Sequence, residues 1–143
     1  MNRLRAPFAL LLATFVASAN PAADAPTAGV ELTIDSFEFL GCSGDWTEKE
    51  WRAEIWRMGS STGTTYLVRH PDTCGSDTSR NAKATLKDGV LDLQYEPYSS
   101  DGVYAACPCE FWAKFTFKSE AHPVRSATFR QSESTLKGAW PER

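Results

Sequence analysis

Val103-Tyr104-Ala105-Ala106-Cys107-Pro108-Cys109-Glu110-Phe111-Trp112-Ala113-Lys114-Phe115-Thr116-Phe117-Lys118 is the stretch on which the fold turns. Its odd positions read Val, Ala, Cys, Cys, Phe, Ala, Phe, Phe. Its even positions read Tyr, Ala, Pro, Glu, Trp, Lys, Thr, Lys. A period of two held this long predicts an extended strand with one face in a core and the other outside it. Pro108 has no N–H for a ladder bond, so it predicts an edge, a bulge or a bend joining two strands.

Working outward, Ala82–Leu86 and Val90–Tyr95 flank Lys87-Asp88-Gly89. Asp-Gly between two such runs predicts a hairpin, because both turn positions accept positive φ. Val30, Leu32 and Ile34 alternate, and the phase then shifts to Phe37 and Phe39, which reads as one strand with a bulge near Ser36. Thr65–His70 and Ser126–Arg130 read as shorter strands. Trp46–Met58 fits two patterns. Thr47 to Glu50 matches a capping box for a short helix over 47–57. Trp51, Ala53 and Ile55 alternate, and Gly59–Gly63 would turn the run back onto the next strand. The strand reading is preferred. The expectation is an all-β chain, a small antiparallel sandwich or barrel stapled by two disulfides.

Cys42, Cys74, Cys107 and Cys109 are the four cysteines. Cys107 and Cys109 are separated by one residue on an extended strand, too far apart and poorly aimed to bond each other. Each is therefore expected to pair with Cys42 or Cys74, in either combination. Zinc knuckles of the C-x-x-C type are missing, so no metal site is expected.

Met1 to Ala19 has the three parts of a secretory signal. Arg3 and Arg5 lead, an apolar run follows, and Ala17-Ser18-Ala19 offers a cleavage site. The expected organisation is a cleaved signal at 1–19, a flexible lead-in at 20–29 and a single β-rich domain at 30–143. The expected location is the periplasm, with the outside medium as the alternative. No later run is long and apolar enough for a membrane span. The chain carries 15 Lys plus Arg against 18 Asp plus Glu, and losing Arg3 and Arg5 leaves 13 against 18, a net −5. That balance disfavours nucleic acid as a partner.

Signatures of catalysis are missing: H-E-x-x-H, G-x-S-x-G, the phosphate loop and the dinucleotide fingerprint do not occur. Ser61, His70 and Asp72 form a nucleophile set only on paper. His70 and His122 each precede a proline, where extended backbone is the ordinary reading. Glu48, Glu50, Glu54, Glu96, Asp101 and Glu110 could supply the carboxylate pair of a glycan hydrolase, but solvation explains them equally well. No cofactor is expected.

Five tryptophans are more than a core of this size needs. Tyr104 and Trp112 fall on the polar side of the long strand, as a contact surface or as burial between sheets. The loop containing Tyr98, Ser99, Ser100 and Asp101 leads into the cysteine strand and is the second candidate contact. The functional expectation is a small exported non-enzymatic binding protein, an inhibitor or immunity factor for an envelope or extracellular enzyme. Its partner is expected to be a protein, with a glycan second. The alternatives are a small carboxylate-dependent hydrolase of glycan and an oligomerising envelope component.

Overall fold

The computed structural model describes residues 28–118 and 123–141. The signal at 1–19, most of the lead-in, and His122 lie outside the described residues. The described chain is all-β. Its strands are β1 (Val30–Glu31), β2 (Ser36–Asp45), β3 (Glu54–Ser60), β4 (Gly63–Cys74), β5 (Thr78–Lys87), β6 (Val90–Tyr98), β7 (Ala105–Phe117), β8 (Ser126–Phe129) and β9 (Thr135–Lys137). They form a four-stranded sheet in the order β1-β5-β6-β8 and a five-stranded sheet in the order β2-β7-β4-β3-β9.

The two sheets share one apolar core. The five-stranded sheet contributes Ile55, Tyr66, Val68, Ala113, Phe115 and Phe117. The four-stranded sheet contributes Ala84, Leu86, Leu91, Leu93, Tyr95, Ala127 and Phe129. These residues alternate along their strands, as the inner faces of packed sheets require. β7 is buried at Cys109, Phe111, Ala113, Phe115 and Phe117 and half-buried between them, so the period of two holds from Cys109 onward.

Asp88 and Gly89 form the β5–β6 turn with φ of 51° and 76°, the left-handed pair that a two-residue hairpin needs. β3 and β4 close another hairpin, with Ser60 opposite Gly63.

Four sequence expectations need correction. The sheets are not wholly antiparallel, because β3 pairs with β9 and β6 with β8 in parallel. β8 and β9 are short, with 4 and 3 residues, and lie at sheet edges where no hairpin sets their direction. The phase shift near Ser36 is not a bulge in one strand. β1 pairs with β5, β2 pairs with β7, and the chain changes sheets between them. The preferred strand over 46–58 holds only from Glu54 onward, and 46–53 is neither strand nor the alternative helix. β4 does not stop at His70 but runs through Pro71 to Cys74. β3 pairing ends at Arg69, so Pro71 stands where one side of β4 has no ladder to interrupt.

Cys42 bonds Cys109 and Cys74 bonds Cys107, with Cα separations of 5.9 and 5.5 Å. Both bridges cross places where the register slips, one between Cys42 and Asp45 on β2, the other between Thr73 and Cys74 on β4. Pro108 lies at the second slip, opposite Thr73. The covalent links thus fix β7 to both neighbours where the hydrogen-bond ladder is weakest. The sequence separations of 67 and 33 residues correspond to about 4 kcal/mol each in the chain-entropy picture.

Strand direction sorts the connections by end. Segments 46–53, 75–77, 99–104 and 130–134 lie at one end, which also carries both disulfides. The other end has the 61–62 and 88–89 hairpin turns, the 32–35 crossing, the last residue of β7 and the first of β8.

Candidate contact face at the loop end

Segment 46–53 is held by an aromatic ladder on the outer face of the five-stranded sheet. Trp46 is 6% exposed. Its backbone N–H donates to Pro108 O at 3.1 Å and its indole N–H to Glu50 O at 3.2 Å. The Arg69 guanidinium lies 4.5 Å from the Trp46 ring centre and 6.0 Å from that of Trp112. Trp112 then stacks on Trp56 at 5.4 Å and 22°. Cation and rings alternate, each supporting the next.

Carboxylates complete this cluster. Arg69 Nη1 donates to Glu54 at 2.9 Å, and its Nη2 donates to Glu110. Lys137 meets Glu54 at 2.8 Å. Trp112 Nε1 donates to Glu110 at 2.8 Å and to Ser43 at 3.0 Å. The polar line therefore runs from β9 through β3, β4 and β7 to β2, tying all five strands. The hydrogen bond from Arg69 and those from Trp112 and Ser43 hold the Glu110 carboxyl below its ordinary value against the effect of burial. Burial pushes Glu54 up, but hydrogen bonds and charge from Lys137 and Arg69 together bring it below its ordinary value. Both carboxylates stay ionised on one guanidinium, so neither is poised to donate a proton as a glycosidase acid must.

Segment 99–104 has its own brace. Ser99 is buried, its hydroxyl donates to Asp101 at 2.5 Å, and Val103 N–H reaches both Ser99 Oγ and Asp101. Asp77 accepts from Ser100 N–H at 2.8 Å and from the Ser100 hydroxyl at 2.5 Å. Those hydrogen bonds hold Asp77 and Asp101 below the usual carboxylate range. A Cβ at Gly75 would stand 2.6 Å from Val103 O, and Gly75 has φ of +105°, so glycine is required where the two loops meet. The Cys74–Cys107 bridge closes the base.

The expected contact residues separate accordingly. Trp112 is half-buried within the ladder, neither between the sheets nor open to solvent. Tyr104 precedes β7 instead of sharing its polar face, and its hydroxyl accepts from Ser99 N–H at 3.1 Å. Tyr98 is half-buried under the Arg80 guanidinium, 5.1 Å away. Ser99 is inward, while Ser100 and Asp101 face solvent. Ser61 lies in the turn before β4 and His70 near the opposite, loop end of β4, so the paper triad is not assembled. His70 is instead a core residue at 2% exposure, bonded to Tyr95.

The alternation of Trp51 with Ala53 and Ile55 does not mark Trp51 as a contact. The strand begins after it, and the side chain is 66% exposed. Trp51 and Tyr104, at 54%, are the two exposed aromatics among the described residues; each lies in a loop-end segment, and Val103, next to Tyr104 in the chain, is 65% exposed. Comparison with family models, with curated proteins and with solved structures gives no match.

Proposed function

We propose that this chain is a small exported binding protein without a catalytic role, an inhibitor or immunity factor for an envelope or extracellular enzyme, and that it binds through the loop end. The observation that carries the reading is the placement of Trp51 and Tyr104. A folded domain ordinarily covers such rings, and here each stands on a segment braced against movement. Braced aromatics lose little freedom on binding, which is what an interface anchor needs. Two disulfides fit an oxidising compartment, and with the export signal they support the periplasm, or the outside medium, as the place of action.

The test compares the mature oxidised chain with Trp51→Ala and Tyr104→Ala. Both rings lie outside the core; Trp51→Ala should melt near the parent temperature, while Tyr104→Ala also removes the acceptor of the Ser99 N–H and should melt slightly lower. Retention of the partner from envelope extract should weaken by about thirtyfold for Trp51→Ala, equivalent to a hot spot of about 2 kcal/mol. Unchanged retention by both variants would remove the loop end as the contact.

A further inference from the structure

We propose that the loop end fits a cationic protein surface, one with a Lys- and Arg-rich rim around apolar pockets that receive Trp51 and Tyr104. The inference rests on the preceding reading of this end as the contact face and adds the partner's chemistry. Charge is segregated along the sandwich. The four loop-end segments, with the three adjoining residues of each strand, carry nine carboxylates (at 45, 48, 50, 54, 72, 77, 96, 101 and 133) against five cations (at 49, 52, 80, 130 and 137). The rest of the described chain carries six carboxylates against seven cations. The negative excess is therefore a property of one end and not of the whole surface.

The charges also stand where a partner would meet them. Glu48 and Glu50 precede Trp51 at 54% and 75% side-chain exposure, and Glu133, at 87%, shares the single cation Arg52 with Glu50 from the neighbouring segment, so negative charge stays in excess around the ring. Asp101 lies three residues before Tyr104, and its bond from Ser99 keeps it ionised. Exposed charges of this kind steer encounter and select partners more than they add affinity. A second copy of this chain would bring the same negative face and be repelled. A neutral glycan would not sense the field, and a nucleic acid would be turned away by it.

The experiment starts from a partner that the mature oxidised chain retains from envelope extract and that Trp51→Ala loses. Its association rate is measured against NaCl concentration for the parent chain and for Glu50→Lys/Glu133→Lys. For the parent, the rate should fall about tenfold between low and physiological salt, because surface charges are screened over about 8 Å there. The double variant should associate about tenfold more slowly at low salt and converge with the parent at high salt. A rate indifferent to salt, a faster double variant, or a retained polysaccharide would overturn the cationic protein and leave the contact face standing. Absence of any Trp51-dependent partner would overturn both.

Discussion

Arg69→Ala should lower the unfolding free energy by about 3 kcal/mol, the low end of the cost of removing one partner from a buried ion pair. Arg69 is 13% exposed and its two carboxylate partners 15% and 17%, so the variant leaves the nearly buried Glu110 without its cation and Glu54 with Lys137 alone. It also removes the spacer between Trp46 and Trp112. Arg69→Lys keeps the charge but not the planar fork that reaches Glu54 and Glu110 at once, so it should recover only part of the loss. Arg69→Met with Glu54→Gln and Glu110→Gln removes the charges together and should recover more. Urea unfolding of the four proteins checks the order. An Arg69→Ala loss below about 1 kcal/mol, the usual ceiling for an exposed pair, would mean the network contributes little.

Acid should cost the fold about 3 kcal/mol between pH 7 and pH 4 through His70 alone, because each unit of pKa displacement is worth about 1.4 kcal/mol. Burial pushes the His70 pKa down to about 4, with the Arg130 charge adding to the effect and Pro71 O and Asp72 opposing it. The carbonyl of Pro71 can only accept, so Nδ1 carries the proton at 3.1 Å and Nε2 accepts from the Tyr95 hydroxyl at 2.6 Å. Burial holds the ring neutral above the folded value, which leaves Nε2 as the acceptor of that bond. Between the ordinary value of 6.5 and about 4, the unfolded chain binds a proton that the folded chain refuses. The contribution is whole above the unfolded pKa and is lost as pH falls through the folded one. Glu54 and Glu110, both held below their ordinary value, add their own loss on the acid side of that value. Unfolding measured across pH should thus slope most steeply below 6.5. His70→Phe with Tyr95→Phe should flatten the part between 6.5 and the carboxylate range. A His70 ring signal, assigned by its loss in His70→Phe, that titrates near 6.5 in the folded protein would refute the neutral core pair.

Local pattern recovered whatever local forces decide. The Phe111–Phe117 alternation placed β7, Asp88-Gly89 placed a hairpin, and the one-residue spacing of Cys107 and Cys109 sent both bridges to distant partners. It could not choose between Cys42 and Cys74, because that depends on which side of β7 each neighbour lies. The parallel edges β3–β9 and β6–β8 have no adjacent turn to announce them. Segment 46–53 misled in a specific way. Thr47 and Glu50 satisfy a helix start locally, yet Trp46 gains more by packing over Arg69, a residue 23 positions away. His70 before proline looked like surface backbone because its partners, Tyr95, Phe111 and Phe129, come from three other strands. The contact face shared this limit. Tyr104 was visible as a candidate, but the exposure of Trp51 follows from where β3 begins.

Amide hydrogen exchange of the mature oxidised chain, alone and saturated with its partner, tests the contact face most directly. Protection on binding should concentrate in 46–53, 75–77, 99–104 and 130–134. The 61–62 and 88–89 turns and the outer face of the four-stranded sheet should exchange as in the unbound protein. Protection centred on those turns or that sheet, with the four loop-end segments unchanged, would contradict the assignment of the loop end as the binding face.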